Sequence, residues 1–477
     1  MPNSERPNVV WIFPDEWRHD ALGYAGNRAV RTPHLDALAA RGTVFSRVYC
    51  ESPVCQPSRA SLLTCSYPRE HGVTHNGWVA EPGPETERLE RLMPRRPFPA
   101  PEVPTYAQRL QAAGYRTSVV GKLHFRSPGR EDVAPEEYGF DEVAEEYDKV
   151  VLMRDGVETP YTRHLDELGL LDDWRRRQHE HLALLFGDDP EGRGAFADPL
   201  PPEHTLDAHL GGRVCEAIGR LAGRDEPFFL QAAFVGPHVP FDGPQSLADL
   251  HDPEAIPLAA LGSEPRPANL WGEYLDYLYD LLGCEDRTEP ELRTIARQYY
   301  ANLALVDAQA GRVVAALEAA GIADRTWILF SSDHGELIGD HGLMNKAVFY
   351  EGSVRVPALV VPPGGGPAAR SDELAQGLDV VATILDVAGA DRDGLAGRSL
   401  LEPGGRDDVV SEIGAFTMAA TREWKLVVET ATAEPQALWN LRADPDERRD
   451  VLAEEGAVAA RLVERHVLPY LHGERRP

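Results

Sequence analysis

Two pairs of potential metal ligands follow short apolar runs of this sequence. Asp15 and Glu16 come shortly after the run NVVWIF, and Asp333 and His334 come directly after TWILFSS. Ligands bind at the carboxyl ends of the strands in open parallel sheets, so two such strand ends could share one metal ion. Oxygen-rich coordination with a single imidazole favours Ca²⁺, Mg²⁺ or Mn²⁺ over Zn²⁺. The alternative is that these residues serve only as turn or cap residues.

Basic side chains follow two further apolar runs. Lys122 and His124 come after RTSVV, and His238 comes after FFLQAAFV. Lys346 follows a second acid and histidine pair at 340–341, for which a purely structural role in a turn is an equally good reading. A lone lysine or histidine in a loop is usually structural. Their recurrence after several strands indicates instead an anion site beside the metal ligands.

Cys55 lies in the segment SPVCQPSRASLLT, where Pro57 and Ser58 suit the first turn of a helix. A side chain at that point faces free backbone N–H groups, which would lower a thiol pKa and would equally suit a bound oxyanion. A phosphatase-type thiolate loop has arginine six residues after the cysteine, but Ser61 stands there. Neither a GxSxG elbow nor a GxxxxGK loop occurs. A buried packing cysteine remains the competing interpretation.

The elements that must position these residues form an alternating α/β pattern. Apolar runs without polar alternation predict strands buried on both faces, in a mainly parallel sheet, at 8–13, 116–121, 228–235, 326–332 and 356–362. Only the last run is not followed by ligand-type residues. Helices are predicted at 32–42, with Thr32 as N-cap and Gly42 as the stop, and at 294–321.

The sequence pattern changes near residue 400. Segments such as EWKLVVET and ALWNL predict short antiparallel strands, and VAARLVERHVLPYL predicts a closing helix. We therefore expect a catalytic α/β domain at 1–400 and a C-terminal α+β subdomain at 401–477. Residues 125–225 and 243–292 are rich in Pro, Gly and acids, and they look like insertions with a solvated or substrate-covering surface.

Composition restricts the class of protein. The 477 residues are 43% hydrophobic and 26% charged, which is typical of a globular protein. With 48 Lys and Arg against 77 Asp and Glu, the formal charge of −29 disfavours nucleic acid and anionic membranes as partners. Neither a signal peptide nor a membrane span is recognisable, so the expected compartment is the cytoplasm. Five cysteines without a CxxC pair indicate no disulfide framework and no structural zinc site.

Taken together, the motifs resemble those of the sulfatase family. Cys55-Gln56-Pro57-Ser58-Arg59 matches the signature Cys-x-Pro-Ser-Arg, whose cysteine is oxidised after translation to Cα-formylglycine. Further segments on both sides of this signature resemble those of the family and occur in the family's order: NVVWIFPDEW, TPHLDALAARG, GYRTSVVGKLHF, GPHVPF, SSDHGELIGDHGLMNK and LWNLRADPDE. The resemblance implies an alkaline-phosphatase-like α/β/α sandwich with a large, mainly parallel sheet and a small C-terminal subdomain that carries an antiparallel sheet.

The resemblance also implies a set of metal ligands. One divalent cation, most often Ca²⁺ and alternatively Mn²⁺ or Mg²⁺, would be held by Asp15, Glu16, Asp333, His334 and an oxygen of modified Cys55. Two of these positions depart from the common pattern. Glu16 stands where most sulfatases have aspartate, and His334, where many have asparagine, resembles the choline-sulfatase and phosphonate-monoester-hydrolase branches. Cys65 replaces a glycine that is common in the segment LLTG.

The implied catalytic residues surround the same position. They are Cys55, Arg59, Lys122, His124, His238 and Lys346. The two lysines would neutralise the sulfate oxygens, and the arginine would position the formylglycine. Of the histidines, the one at 238 would lie on the leaving-group side and the one at 124 beside the nucleophile.

The resemblance implies a sulfuric ester hydrolase that cleaves a sulfate monoester to alcohol and sulfate. The alternative is a phosphonate monoester or phosphodiester hydrolase with the same site, although GKLH at 121–124 favours sulfate. A different class would be a non-catalytic anion- or metal-binding protein with unmodified Cys55. The implied partners are a small-molecule or saccharide sulfate ester and a formylglycine-generating or anaerobic sulfatase-maturating enzyme. A homo-oligomer is compatible with the sequence.

Overall fold

The computed structural model of the chain contains two β-sheets. It describes residues 6–76, 104–124, 134–154, 156–186, 195, 197–198, 200–258 and 262–474. The strands of the main sheet are β1 Asn8–Ile12, β2 Thr43–Tyr49, β3 Arg116–Lys122, β4 Glu142–Glu146, β5 Phe228–Ala233, β6 Thr326–Ser331, β7 Arg355–Val361 and β8 Ala369–Gln376. Those of the second sheet are β9 Val409–Ile413, β10 Phe416–Ala420, β11 Trp424–Glu429 and β12 Pro435–Asn440.

The main sheet has the strand order β4-β3-β5-β1-β6-β7-β2-β8. Every neighbouring pair is parallel except those that involve β7, which runs antiparallel to both β6 and β2. The predicted mainly parallel sheet is therefore confirmed. The direction of β7 also explains why the run 356–362 has no ligand-type residues after it, because its carboxyl end lies at the opposite edge of the sheet.

Alternate side chains of β1 pack into two different hydrophobic cores. Val9 and Trp11 belong to one core, whereas Val10 and Ile12 belong to the other. Successive side chains of a strand point to opposite faces, so both faces of the sheet are covered. Because both faces are buried, the sequences of these strands are continuous apolar runs. A sheet covered by helices on both faces is an α/β/α sandwich.

Helices supply these covering layers. They are α1 Pro33–Ala39, α2 Cys55–Thr64, α3 Pro68–His71, α4 Tyr106–Ala112, α5 Lys149–Leu152, α6 Pro160–Glu167, α7 Leu171–Phe186, α8 Leu206–Ala222, α9 Gln245–Ala248, α10 Leu270–Leu282, α11 Glu289–Ala319, α12 Glu351–Val354, α13 Gly377–Ala388, α14 Gly456–Leu462 and α15 Leu468–Leu471. Helices α2, α4 and α13 pack on one face, and α1, α8 and α11 pack on the other. Within the described ranges, no helix combines the length and the apolar character that crossing a membrane requires.

Both predicted helices form, but their ends differ from the prediction. The hydroxyl of Thr32 accepts the N–H of Gly23 at 2.9 Å instead of capping α1. Gly42 lies beyond the end of α1, and a Cβ there would come within 2.7 Å of the Val360 carbonyl oxygen. Helix α11 starts earlier than predicted, at a capping box between Thr288 and Glu291.

The segment 125–225 is more than an insertion on the surface. Strand β4 pairs in parallel with β3 at the edge of the main sheet, and α8 packs against α11 with Leu210 and Val214 in the core. The sequence EVAEE of β4 is acidic and lacks an apolar run, so hydrophobic pattern did not reveal it. The interpretation of this whole segment as an insertion was therefore wrong.

The second sheet is antiparallel in the order β12-β11-β10-β9, as expected for the C-terminal part of the chain. Lys425 of β11 is fully buried and joins this sheet to the main core. Its ammonium group lies 2.8 Å from Glu351 and 2.6 Å from Glu447, and it donates to the Phe349 carbonyl at 2.7 Å. The division into domains at residue 400 stays a prediction.

Cys65 ends α2 in the left-handed region, with φ 52° and ψ 36°. Glycine reaches this conformation without a Cβ penalty, which is why a helix of this kind commonly ends at glycine. A cysteine keeps the same backbone at a cost of about 1 kcal/mol. The replacement of the family's common glycine by Cys65 therefore adds local backbone strain and leaves the path of the chain unchanged.

Glu51, at the end of β2, gives a pH-dependent prediction. Burial raises the pKa of its carboxyl group to about 7 from 4.5, although Oε1 accepts the N–H of Leu378 at 2.9 Å. The folded state therefore binds this proton more tightly than the unfolded chain, and stability is lost as the pH rises through this interval. Glu51→Gln is expected to increase the free energy of unfolding by about 3 kcal/mol at about pH 8 and by less than about 1 kcal/mol at about pH 5. Urea titrations at both pH values measure this, and a difference independent of pH would contradict it.

Candidate active site

The predicted site residues converge because four adjacent parallel strands end at the same edge. Strand β3 ends at Lys122 and is followed by His124. The next strands in the sheet order, β5, β1 and β6, are followed by His238, by Asp15 and Glu16, and by Asp333 and His334. The loops after β1 and β5 also touch directly, through a bridge between Asp15 and Pro237. The topology thus brings residues that are hundreds of positions apart into one cluster.

Cys55 is the first residue of α2 and is buried at the centre of this cluster. Its sulfur lies 3.1 Å from His334 Nε2 and 3.8 Å from Asp15 Oδ1. The start of the helix is fixed by two hydrogen bonds: Gln56 N–H donates to Asn76 Oδ1 at 2.9 Å, and the Ser58 hydroxyl donates to the Asp333 carbonyl at 2.7 Å. The helix therefore points its positive end at the ligand-bearing loops.

Arg59 lies one turn along α2 and connects three of these loops. Its guanidinium donates to Asp333 Oδ2 at 2.9 Å, to Asp15 Oδ2 at 3.0 Å and to the carbonyl of Lys122 at 2.6 Å. The side chain is only 2% exposed, and its guanidinium carbon lies 5.0 Å from the centre of the Phe13 ring. A planar group with five donors suits this arrangement, and lysine could not reproduce it.

Four side chains offer a set of donors for a metal ion. One potential ligand atom from each of Asp15, Cys55, Asp333 and His334 lies within 4.8 Å of all the others. Nδ1 of His334 donates to the Gly335 carbonyl at 3.0 Å, which directs Nε2 towards the cluster, where a metal ion would displace any proton that it carries. Carboxylates with one imidazole fit a hard divalent cation.

Glu16, the fifth predicted ligand, faces a neighbouring part of the cluster. Its Oε2 lies 2.8 Å from Lys346 Nζ and 3.7 Å from His238 Nε2, and it groups with Asp15 and His238. Its buried Oε1 has no hydrogen-bond donor among the described residues. Burial raises the pKa of this carboxyl group to about 8, against the opposing effect of Lys346. An orphaned, desolvated carboxylate oxygen is the kind of atom that a nearby cation satisfies.

The electrostatic environment favours a negative charge at position 55. Burial alone would raise the pKa of the Cys55 thiol, but Lys346 and Lys122, helped by His334, hold this pKa well below its usual value. Burial would also lower the pKa of His334, yet the neighbouring Asp333 carboxylate raises it to about 9. An anionic sulfur or oxygen at this position is therefore stabilised from several sides.

The two lysines lie on different sides of the cluster. Lys122 Nζ is 2.7 Å from Asp15 and 3.1 Å from Asp148, and its side chain is 1% exposed. Lys346 pairs with Glu16 and is 11% exposed. Despite burial, Asp15 and Asp148 raise the pKa of the Lys122 ammonium group, and Cys55 and Glu16 raise that of Lys346, so both are cationic at neutral pH.

The rings of the two predicted catalytic histidines, His124 and His238, both lie beside the cluster. Nδ1 of His238 donates to the Val239 carbonyl at 2.8 Å, which directs Nε2 towards Glu16. His124 adopts a positive φ of 59°, helps to lower the pKa of the nearby Cys55 thiol, and has a buried Nδ1 without a hydrogen-bond partner among the described residues. Both rings are therefore close enough to the cluster to exchange protons with groups there.

Two acids of the cluster could not be recognised from the sequence, and the role of the pair at 340–341 stayed open there. Asp148 follows β4 and reaches Lys122, but it could be found only by recognising β4. Glu336, fully buried, accepts the N–H groups of Asn345 and Ile338 and so shapes the loop before Lys346. The pair at 340–341 is structural: Asp340 bonds Arg18 at 2.9 Å, and His341 stacks on Tyr350.

The described tryptophan and tyrosine side chains of the segments 125–225 and 243–292 lie in or against the hydrophobic cores. Trp174, Trp271 and Tyr274 are buried, and Trp271 stacks on Phe349 within the core. Tyr277 packs against the same core, whereas Trp78, which precedes both segments, lies outside the described residues. The described aromatics therefore contribute to packing.

Comparisons with known proteins match these observations. The family model described as Sulfatase matches residues 7–390. An arylsulfatase of Clostridium perfringens (strain 13 / Type A) is 29% identical over 394 residues, which cover 80% of this chain and 75% of that protein. A choline-sulfatase of Rhizobium meliloti (strain 1021) is 27% identical over 465 residues, covering 92% and 81%. The crystal structure of a phosphonate monoester hydrolase of Agrobacterium radiobacter superposes with a TM-score of 0.76 at 27% identity, covering 98% of this chain and 96% of that one.

Proposed function

Because the chain belongs to the sulfatase family, we propose that it hydrolyses a sulfate monoester to an alcohol and inorganic sulfate, with Cα-formylglycine formed from Cys55 as the nucleophile. One observation carries this proposal. Cys55 is buried at the start of α2, 3.1 Å from His334 Nε2, in a setting that stabilises negative charge. The family match and the similar arylsulfatase support the same reaction class.

The proposed modification explains why a cysteine stands at this position. A maturating enzyme would convert the CH₂–SH group into an aldehyde, and hydration of the aldehyde gives two hydroxyl groups on one carbon. One hydroxyl oxygen attacks sulfur, and the bond from sulfur to the ester oxygen breaks. The second hydroxyl then loses its proton, the bond from carbon to the sulfate oxygen breaks, and the aldehyde forms again. A thiol or a serine hydroxyl lacks this second route.

A divalent cation would be held by Asp15, Asp333, His334, an oxygen of modified residue 55 and Glu16. Bound there, it would supply Lewis-acid polarisation of sulfate and hydroxyl oxygens. The donor chemistry and the orphaned oxygen of Glu16 support this assignment.

The remaining side chains have separate proposed roles. Lys122 and Lys346 bind the equatorial oxygens, where negative charge spreads in the transition state. His238 Nε2 donates a proton to the leaving alcohol, and His124 removes the proton that allows sulfate to leave. Arg59 holds the carboxylates that surround residue 55 and thereby fixes the position of the nucleophile.

A second reaction has support from a specific observation. The structural similarity to a phosphonate monoester hydrolase extends over nearly the whole chain. A phosphonate monoester is a tetrahedral anion with one leaving group and makes similar demands on the site. Phosphonate or phosphodiester hydrolysis is therefore the alternative function, with the same residues in the same roles.

Turnover of two matched esters distinguishes the alternatives. We expect a higher kcat/KM for para-nitrophenyl sulfate than for para-nitrophenyl phenylphosphonate. The two esters have the same leaving group, so the comparison isolates the effect of the transferred group. The measurement needs the full chain after co-expression with a maturating enzyme and dialysis against Ca²⁺ or Mn²⁺. A large preference for the phosphonate would make the alternative the main activity.

The natural ester and the setting of the reaction are also proposals. Relatives include a choline-sulfatase and an ulvan-active sulfatase, so both small-molecule and saccharide sulfates belong to the substrate range to be screened. We propose a cytoplasmic enzyme whose maturation depends on a formylglycine-generating or anaerobic maturating enzyme.

A further inference from the structure

Asp148 places a negative charge against one of the proposed anion-binding lysines. Its Oδ2 lies 3.1 Å from Lys122 Nζ, and its Oδ1 accepts the N–H of Val151 at the start of α5. Burial alone would raise the pKa of this carboxyl group, but Lys122, His238 and His124 hold it well below its usual value. Asp148 is therefore ionised at neutral pH.

Asp148 lies outside the metal-donor set and outside the ion pairs of Arg59, whereas Asp15 and Asp333 belong to that set and bind Arg59. Lys122 Nζ already lies 2.7 Å from Asp15, and an uncharged amide oxygen at position 148 could take the place of the carboxylate oxygen 3.1 Å from it. A carboxylate beside Lys122 weakens the attraction of the site for any anion, so the charge itself requires an explanation.

We propose that Asp148 is a specificity-determining residue that restricts the site to singly charged esters. The proposal rests on the proposed function, because it takes Lys122 as a contact of the transferred group. Sulfate monoesters and phosphonate monoesters carry one negative charge, whereas phosphate monoesters carry nearly two above their second pKa of about 6. The second negative charge of a phosphate monoester would lie roughly 6 Å from Asp148. At an effective dielectric constant of about 20, repulsion between these two charges weakens binding of the phosphate ester by about 100-fold.

The test compares substrates of different charge in the full, metal-loaded and modified chain. It measures kcat/KM for para-nitrophenyl sulfate and para-nitrophenyl phosphate at about pH 8, where the phosphate is a dianion. Asp148→Asn removes the charge, keeps an oxygen for Lys122 and for the N–H of Val151, and is as good a helix cap as aspartate. We expect the ratio of phosphate to sulfate turnover to rise about tenfold or more in this variant.

Asp242→Asn is the matched control. Asp242 pairs with Lys149, the residue next to Asp148 on α5, and it does not contact Lys122. This variant disturbs the same helix and should leave the ratio unchanged. Three results would each overturn the inference. Asp148→Asn could lose both activities in proportion, Asp242→Asn could change the ratio as much as Asp148→Asn does, or the parent could turn over both esters equally. A modified chain that hydrolyses neither the sulfate ester nor the phosphonate would contradict the proposed function instead.

Discussion

Replacement of Cys55 by alanine is expected to lower kcat/KM for a sulfate ester by about 10⁴-fold or more. The reason is that alanine cannot become an aldehyde, so the site loses its nucleophile while the lysines and metal ligands remain. The sulfur is buried, and within the described part of the chain it lies at hydrogen-bonding distance from His334 and Asp15. The fold should therefore persist, and steady-state hydrolysis with a circular dichroism melting curve measures both effects.

Cys65→Ala is the control for this variant. Cys65 lies at the opposite end of the same helix and is equally buried, but it is remote from the ligand-bearing loops. Its loss should leave kcat/KM within a factor of about two, since it removes only a packing contact. Retained hydrolysis in Cys55→Ala would show that another group attacks the ester and would end the formylglycine mechanism.

Arg59→Met is expected to reduce both stability and activity. It leaves Asp15 and Asp333 fully buried without the guanidinium that now contacts both. Removing one partner of a buried ion pair costs about 3–5 kcal/mol in the free energy of unfolding. Activity should fall by at least about 100-fold, because the carboxylates that surround residue 55 lose their common support. Urea denaturation and kcat/KM measurements test the two parts separately.

Two further variants separate the role of Arg59 in the site from its role in folding. Arg406 forms a similar pair with Asp379, at 2.8 Å, in which the two side chains are 6% and 1% exposed, and neither residue belongs to the cluster. Arg406→Met should lower stability comparably and leave kcat/KM unchanged below the unfolding transition. Arg59→Lys keeps the charge without the planar fork, so we expect it to recover stability more than activity. Equal activity losses in Arg59→Met and Arg406→Met would reduce Arg59 to a structural residue.

The sequence predicts the centre of this fold better than its edges. The four adjacent strands β3, β5, β1 and β6 are buried on both faces, so their apolar runs are unmistakable and the ligands that follow them converge. Strand β7 reads equally well as a strand, but its direction depends on pairing with β6 and β2, which no local pattern encodes. Strand β4, at the edge, has an acidic sequence and was missed.

The same distinction applies to the candidate site. Residues directly after strong strands, such as Asp15 and Asp333, could be located from their spacing alone. Asp148 could not, because it depends on the unrecognised edge strand, and the orientation of Glu16 towards Lys346 depends on side-chain packing. The proposed roles of the site residues also rest on the family resemblance, because spacing alone left turn capping as an alternative.

The mass of the peptide that contains residue 55 tests the central claim most directly. The chain should be co-expressed with a formylglycine-generating enzyme, digested and analysed by mass spectrometry, with hydrolysis of para-nitrophenyl sulfate measured on the same preparation. We predict a peptide lighter than the cysteine form by the difference between H₂S and one oxygen atom, in a fraction that rises in proportion to activity. An unmodified Cys55 thiol in a preparation that hydrolyses the ester at full rate would contradict the account.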